Sequence, residues 1–307
     1  MVSNENVPMS DLWSQWLLHQ RHADDPRLQE AIRAVVDRYI DRVLDGAHLA
    51  AGQTLVDVGT GEGVVAFRAL ERVGQSLRAW LTDVSEPMLQ HARAQAGALG
   101  VLGQCSFLHC AADRLEGIDD ASADLVTTRS ALAYVADKAG ALREFHRVLK
   151  PGGRISLAEP VFQDDAVEAK AIKAVIDSKP AQGVSPLLIL LHRWKAAQFP
   201  DTEQKISASP IANYCERDLH RFAQEAGFTD LHLELHIDTG PSIMRSWDAF
   251  VHNSPHPLAP SLSRIMAEQF TAAEREYFER NMRPVIENPN ALSTDRMVYL
   301  TARRALA

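Results

Sequence analysis

The sequence predicts an α/β protein built on a doubly wound, mostly parallel β-sheet with helical additions. Short, nearly continuous apolar runs alternate with helical patterns, and a glycine-rich loop follows the first run. Such runs are typical of strands buried on both faces of a parallel sheet, and strands that alternate with helices build that sheet. Hydrophobic residues make up 46% of the 307 residues, which is enough apolar material for a sizeable core.

The first 50 residues form a predicted N-terminal helical segment. Apolar residues from Leu12 to Leu44 recur at spacings of three and four, the period of an α-helix. The start of the chain, MVSNENVPMSDLW, has neither a basic region nor an apolar stretch, so we expect no secretion signal.

Compact apolar runs predict five core strands at 54–58, 76–82, 106–110, 123–127 and 153–159. The clearest intervening helix, 138–149, is ended by the sequence Lys-Pro-Gly-Gly at 150–153. Two further strands are predicted at 231–237 and 297–301. We therefore expect an N-terminal helical segment at 1–50, a core at 51–160, a helical cap insertion at 161–215, and a last part at 216–307. That last part completes the sheet and carries a second helical insertion at about 240–289.

Composition limits the partners. The formal charge is −8, and no Lys/Arg block is present, which argues against nucleic acid because phosphate binding needs a basic face. No apolar run approaches the roughly 20 residues needed to cross a bilayer. The three cysteines form no CxxC pair, so we expect no metal site and a reducing, cytoplasmic location. A small molecule is the expected partner.

The segment Val-Asp-Val-Gly-Thr-Gly-Glu-Gly at 56–63 joins a predicted strand to a predicted helix. Glycines let the backbone turn sharply and approach a ligand, and the N–H groups at a helix start attract polar groups. The alternative for the loop is a plain tight turn between strand and helix. Asp83, 20 residues after Gly63, ends the next strand, where a carboxylate can accept both hydroxyls of an adenosine ribose. Ala112 and Asp113 follow the third strand, where they could meet the edge of an adenine.

Five segments together, VDVGTGEG, LTDVSEPML, CAAD, DLV and REFHRVLKPGGRISLAEP, resemble in order and spacing the motifs of class I S-adenosylmethionine-dependent methyltransferases. The resemblance covers residues 53–160 and implies a Rossmann-like, seven-stranded sheet and S-adenosylmethionine as cofactor. It also implies a set of cofactor-binding residues. These are Asp57, Gly59, Thr60, Gly61 and Gly63 for the methionine part, Asp83 for the ribose, Val84, Met88, Ala112 and Asp113 for the adenine, and Arg129 and Ser130 bordering the methyl-transfer centre.

Candidate catalytic residues follow the strand ends. Glu159 ends the fifth strand, where its carboxylate could accept a proton from the nucleophile, or could be a solvated strand end or a helix cap. Tyr134 could orient a ligand or simply pack by its ring. Arg129 could pair with a carboxylate of cofactor or substrate, or bridge to the cap. His192, in the first insertion, is predicted to overhang the site. A dedicated base is optional, because alignment of the nucleophile can supply much of the acceleration.

We therefore expect a methyltransferase that acts on an apolar or aromatic small molecule in specialised-metabolite biosynthesis, with O- or C-methylation favoured over N-methylation. The alternatives are an NAD(P)-dependent oxidoreductase, whose fingerprint also pairs a glycine loop with an acid, and a non-catalytic scaffold of the same fold. The helical additions could form a homodimer interface or pack on the sheet. The sequence leaves both open.

Overall fold

The computed structural model describes residues 11–180 and 183–306. It contains seven strands: β1 (Thr54–Val58), β2 (Arg78–Asp83), β3 (Cys105–His109), β4 (Ala123–Arg129), β5 (Leu149–Pro160), β6 (Phe228–Pro241) and β7 (Leu292–Arg304). They form one sheet in the order β3-β2-β1-β4-β5-β7-β6. Strands β1 to β5 are parallel, and β7 runs antiparallel to both β5 and β6. The predicted seven-stranded, mostly parallel sheet is confirmed.

The helices are α1 (Leu12–Leu18), α2 (Pro26–Ala47), α3 (Val64–Val73), α4 (Glu86–Ala98), α5 (Lys138–Val148), α6 (Gln163–Asp177), α7 (Pro186–Gln198), α8 (Glu203–Ala208), α9 (Glu216–Glu225), α10 (Trp247–His252), α11 (Leu262–Gln269) and α12 (Ala272–Ile286). The first ten residues of the predicted N-terminal segment, and residues 181 and 182 of the first insertion, lie outside the described residues. In the described chain, no helix is both long and apolar enough to span a bilayer.

The two faces of the sheet carry separate buried clusters, as a doubly wound fold requires. Helices α5 and α9 pack on one face, where Phe145 and Leu219 are fully buried. Helices α2 and α3 cover the other face through residues such as Val43 and Ala66. Because β1, β2 and β4 are parallel, their carboxyl ends lie together at one end of the strands, which we call the open edge of the sheet. Ligands bind at this position in such folds.

The two predicted insertions pack against each other as one unit, which we call the helical cap (α6–α8 and α10–α12). Helix α7 of the first insertion shares a buried cluster with α10, α11 and α12 of the second, around Leu190, Trp247 and Phe278. Two hydrogen bonds link the same parts, from Gln198 Nε2 to the carbonyl of Pro260 (2.9 Å) and from Arg193 Nη1 to the carbonyl of Gln269 (2.9 Å). Segments distant in sequence thus build a common cover.

Strands β6 and β7 are longer than the predicted 231–237 and 297–301. They stay paired as far as Pro241 with Leu292, so the hairpin continues beyond the apolar pattern. The added residues are largely exposed, Leu292 at 68%, and are held by backbone hydrogen bonds. Apolar periodicity reports burial rather than backbone pairing, which is why the sequence predicted strands that are too short.

Candidate active site

The loop after β1 brings the backbone unusually close to the segment after β4. Gly59, Gly61 and Gly63 have positive φ angles of 64°, 53° and 80°. A Cβ atom added at Gly59 would lie 2.2 Å from the Cβ of Ala131, far inside a normal contact distance. Only glycine allows both the backbone conformation and this approach. The expected glycine loop therefore packs directly against the segment after β4 at the open edge of the sheet.

Asp57 holds this loop from beneath. Its Oδ2 accepts a hydrogen bond from Thr60 Oγ1 (2.6 Å), and its Oδ1 accepts one from Thr127 Oγ1 (2.8 Å). Burial raises the pKa of Asp57 to about 6, although both hydroxyl groups act in the opposite direction. The carboxyl is 1% exposed and lies below the loop rather than on a cavity wall. Its two hydrogen bonds connect β1 to the loop and to β4.

Asp83 stands at the end of β2 and faces the loop. Its Oδ2 accepts a hydrogen bond from the N–H of Gly61 (2.9 Å), and its Oδ1 accepts one from the N–H of Ser85 (2.9 Å). Burial raises its pKa, against the effect of these two backbone donors. Each carboxylate oxygen keeps a further acceptor site, and the side chain contributes to a cavity wall. This geometry suits two vicinal hydroxyl groups.

A cavity of about 290 Å³ opens along this edge, and we call it the first cavity. Several predicted cofactor residues line it: Gly59, Gly61, Asp83, Val84, Ala112, Asp113 and Ser130. Met88 of α4 is fully buried, and Gly63 packs on Phe67, so neither forms part of this wall. Most of the predicted binding residues are thus brought together.

The cover of the first cavity comes from outside the core. Trp13, Trp16 and Leu17 of α1 close it, together with Pro257 between α10 and α11. The predicted site did not include these four residues. The signal that could have found them is the pair of tryptophans three residues apart on a short N-terminal helix, because one helix face then carries both rings.

Contacts with the cap and the core hold this cover in place. Trp16 Nε1 donates a hydrogen bond to the carbonyl of Ser254 (3.0 Å), and Asn253 Nδ2 donates one to the carbonyl of Arg21 (2.5 Å). Arg21 also forms a 3.0 Å ion pair with Glu62 of the glycine loop. The N-terminal segment therefore bridges the loop and the helical cap.

Tyr134 lies where the cover meets the sheet. Its ring packs edge-on against Trp13, with 5.2 Å between centroids, and contacts Phe162. Burial raises its pKa, with a further contribution from the charge of Glu159, so the hydroxyl stays protonated at neutral pH. The side chain lines the first cavity. The ring of Tyr134 therefore packs, as one alternative expects, and it also lines the cavity, while its role in orienting a ligand stays a prediction.

Glu159 is fully buried and its carboxylate is occupied by the turn after β4. Oε1 accepts hydrogen bonds from Thr128 Oγ1 (3.1 Å) and the N–H of Ala131 (3.4 Å), and Oε2 accepts one from the N–H of Ala133 (2.9 Å). Burial raises its pKa, against these donors. Glu159 contributes to neither cavity wall. This arrangement suits a residue that positions the turn.

His192 lies in the helical cap, where its Nε2 is 3.1 Å from Oδ2 of Asp201. It is on neither cavity wall, so the structure does not bring it together with the other candidates. Within residues 11–180 and 183–306, no group of three or more His, Cys, Asp or Glu side chains is placed to hold a metal ion.

A second cavity, of about 220 Å³, adjoins the first. The two share several wall residues, among them Gly59, Ser130 and Tyr134. Thr60 and Arg129, the remaining cofactor candidates at the loop and at the end of β4, line this second cavity. The carboxyl ends of β1 and β4 thus lie between the first and the second cavity.

Comparisons with known proteins agree with this geometry. The family model of the methyltransferase domain matches residues 49–227, more than half of the chain. The ubiquinone/menaquinone biosynthesis C-methyltransferase UbiE of Klebsiella pneumoniae is 33% identical over 116 residues, 38% of this chain and 46% of that protein. The Escherichia coli protein of the same name is 34% identical over the same length. The match thus spans about half the length of these relatives.

Two solved structures show the same fold. A candidate methyltransferase from Bacillus halodurans superposes with a TM-score of 0.54 at 18% identity, covering 87% of this chain and 98% of that one. The YcgJ protein of Bacillus subtilis superposes with a TM-score of 0.52 at 15% identity, covering 88% and 100%. At these identities the likeness concerns the fold.

The chain belongs to the methyltransferase domain family, and the predicted class I S-adenosylmethionine-dependent methyltransferase is confirmed at that level. The first cavity fits the cofactor of this class. The backbone of the glycine loop at Gly59 and Gly61 forms part of its wall, and the Asp83 carboxylate on the same wall keeps acceptor positions that suit the two ribose hydroxyls. The nicotinamide-dependent alternative finds no support in the family match.

Proposed function

We propose that this protein transfers a methyl group from S-adenosylmethionine to an apolar or aromatic small molecule, with O- or C-methylation favoured. The observation that carries the proposal is the cover of the two cavities. Trp16 and Tyr134 line both cavities with aromatic surface, and Trp13 and Pro257 add apolar surface to the first. A concave, mostly apolar cavity with few polar groups is the usual form of a small-molecule site.

The role of each part follows from the contacts described above. Bound S-adenosylmethionine supplies a methyl group on a positively charged sulfur. Asp83 binds and orients its ribose end, and the glycine loop fixes the distance to the segment after β4. The N-terminal segment and the cap exclude water, since both are hydrogen-bonded to each other over the cavity. Alignment in such a closed site accelerates a displacement without a dedicated base.

The state of the candidate catalytic groups supports this mechanism. The Glu159 carboxylate is engaged by three donors, and Tyr134 is protonated. We propose that Glu159 positions the turn at 131–133 and that Tyr134 orients the ligand. The C-methyltransferase named among the relatives acts in quinone biosynthesis by its name, which supports a carbon acceptor and a biosynthetic role. A role in specialised metabolism, in the cytoplasm, completes the proposal.

Label transfer from methyl-labelled S-adenosylmethionine tests the proposal. The full chain is incubated with neutral and anionic aromatic compounds and, separately, with protein and RNA. We expect label in small aromatic acceptors and in neither macromolecule. Label in protein or RNA alone would contradict the proposal. The Asp83→Ala variant serves as a control for cofactor-dependent transfer.

Binding measurements separate the remaining alternatives. Calorimetric titration with S-adenosylhomocysteine should show binding, and a parallel titration with NAD should show none. Binding of S-adenosylhomocysteine without transfer to any small molecule of the panel would favour the non-catalytic scaffold over the enzyme.

A further inference from the structure

The second cavity begins where the first one ends, at Gly59, Ser130 and Tyr134. The adenosine-binding edge, from Asp83 to Asp113, belongs only to the first cavity. A ligand whose ribose lies at Asp83 therefore reaches the boundary with its other end. A methyl acceptor must lie next to that end, on the other side of the boundary between the two cavities. The second cavity occupies this position.

Most of the second cavity is apolar. Ile32, Val36 and Tyr39 of α2 form one wall, and Ile243, just beyond β6, forms another. These side chains suit a hydrocarbon or aromatic body. Their only acceptor for an ammonium group is the Tyr39 hydroxyl, and the carboxylate that also lines this cavity, Glu62, is paired with Arg21.

The polar end of the second cavity carries two guanidinium groups. Arg129 ends β4, and its Nε is shut off from solvent and has no hydrogen-bond partner among the residues that the structure describes. Its Nη1 lies 3.5 Å from Ser130 Oγ, at the limit of a hydrogen bond. Burial lowers the pKa of Arg129, and the nearby charge of Arg21 acts in the same direction. The group is positively charged, partly buried and incompletely paired, with its Nε closed off from solvent.

The carboxylates near Arg129 have other partners. Glu62 forms its ion pair with Arg21, and Asp57 accepts hydrogen bonds from Thr60 and Thr127. Glu159 accepts its hydrogen bonds from the turn after β4. A buried charge without its own counter-ion is costly, so an anionic group beside Arg129 would be strongly favoured.

We propose that the second cavity is the methyl-acceptor site and that Arg129 binds a carboxylate of the acceptor, which is therefore an apolar or aromatic carboxylic acid. This inference rests on the proposed small-molecule methyltransferase function. A carboxylate could also come from the methionine end of the cofactor. That end carries an ammonium group as well, and the carboxylate that lines this cavity, Glu62, already forms an ion pair with Arg21, so the ammonium group would lie beside Arg129 without a free counter-ion. An acceptor with one anionic group and an apolar body matches both ends of the cavity.

Benzoate and benzyl alcohol are matched probes for this site, because they share the ring and differ in charge. Their binding is measured by calorimetry on protein saturated with S-adenosylhomocysteine. We expect benzoate to bind about tenfold more tightly than benzyl alcohol, and Arg129→Gln to remove the difference. Arg129→Lys should keep part of it, since the charge stays but the bidentate geometry is lost. Arg143→Gln, on an exposed side chain of α5, is the control and should behave as wild type.

A second variant tests the cavity without touching the buried charge. Ile243 is 41% exposed, so Ile243→Trp should fill the apolar end without disturbing the core. We expect this variant to lose benzoate binding and to keep its affinity for S-adenosylhomocysteine.

Three results would overturn the inference. Competition between benzoate and S-adenosylhomocysteine, with weaker binding of the latter to Arg129→Gln, would assign Arg129 to the cofactor carboxylate. Equal binding of the two probes, or no binding of benzoate, would exclude a carboxylate site. Unchanged benzoate binding to Ile243→Trp would place the probe elsewhere. Label transfer to neutral aromatic acceptors in any of these cases would leave the proposed function standing.

Discussion

At the scale of single residues, the site depends on positions where no other residue type could make the same contacts. Gly59 and Asp83 are the clearest cases. The first lets the loop approach Ala131, and the second joins the loop to the end of β2 through the N–H of Gly61. Both were predicted from the motif, and the structure supplies the contacts that explain them.

Gly59→Ala should damage the protein far more than Gly52→Ala. Both glycines have positive φ angles, 64° and 79°, but a Cβ at Gly52 meets nothing within 4 Å. The left-handed conformation alone costs about 1–2 kcal/mol, which both variants should show. The clash with Ala131 adds to this cost only at Gly59. Urea unfolding and titration with S-adenosylhomocysteine measure the difference, and equal losses in both variants would refute the explanation.

Asp83→Ala should weaken binding of S-adenosylhomocysteine by more than about tenfold. The change removes a buried acceptor for two hydroxyls, and such a loss costs about 1–3 kcal/mol. The exposed Asp119→Ala in a loop is the matched control and should bind as wild type. Thermal melting of both variants without ligand checks that the loop still folds. Unchanged affinity in folded Asp83→Ala would place the ribose elsewhere.

Glu159→Gln should lower stability and turnover together. An amide nitrogen in place of one oxygen faces the N–H groups of Ala131 and Ala133, or Thr128, and loses at least one hydrogen bond. We expect a loss of about 1–3 kcal/mol in the free energy of unfolding. The pH dependence of kcat/KM should keep its shape. Loss of one limb of that profile at unchanged stability would instead make Glu159 the general base.

At the scale of elements, the short helix α1 connects the catalytic core to the helical cap. On its own, a helix of this length is unstable in water, so its position depends on tertiary contacts. Those contacts are the hydrogen bond from Trp16 to Ser254 and the one from Asn253 to Arg21. The sequence predicted the helix but not what it covers, because its partners Tyr134 and Ser254 lie more than 100 residues away along the chain.

Asn253→Ala should speed the release of S-adenosylhomocysteine. The side chain lies on neither cavity wall but holds the carbonyl of Arg21, so its loss loosens the cover rather than the binding surface. One hydrogen bond is worth about 0.5–1.5 kcal/mol, which corresponds to a change in the dissociation rate of up to about tenfold. Stopped-flow fluorescence of the tryptophans of α1 reports the rate. The neighbouring, exposed His252→Ala is the control, and identical rates in the two variants would contradict a closing role.

At the scale of the whole molecule, buried carboxyl groups link stability to pH. The pKa of Asp57 rises from 3.8 to about 6 in the folded protein, and burial raises those of Asp83 and Glu159 in the same direction. The folded state therefore binds protons more tightly than the unfolded state. The stabilisation is full below the unfolded pKa and is lost as the pH rises through the folded pKa.

Asp57→Asn should flatten this dependence. For wild type, the shift at Asp57 lowers the free energy of unfolding by about 2 kcal/mol between pH 4 and pH 7, and the variant should lack this contribution. Denaturant unfolding at a series of pH values measures both curves. Asp119→Asn, in an exposed loop, should follow wild type. Parallel curves for Asp57→Asn and wild type would show that Asp57 does not carry the linkage.

The sequence by itself determined the sheet, the glycine loop and the residues at the strand ends that line the first cavity. These features depend on local signals, namely apolar runs, glycines where φ is positive, and an acid at a fixed distance along the chain. Residues close in sequence or at equivalent strand ends are brought together by the topology of a parallel sheet, so Gly59, Asp83 and Asp113 could be predicted as neighbours.

Only the tertiary structure decided which residues cover the site and what the candidate catalytic groups contact. Trp16 meets Ser254, the two insertions share one core, and His192 pairs with Asp201 instead of overhanging the cavities. Glu159 and Arg129 end adjacent strands, yet one carboxylate is fully engaged and one guanidinium is not. These outcomes depend on packing between distant segments and on the burial of charge, which no local pattern encodes.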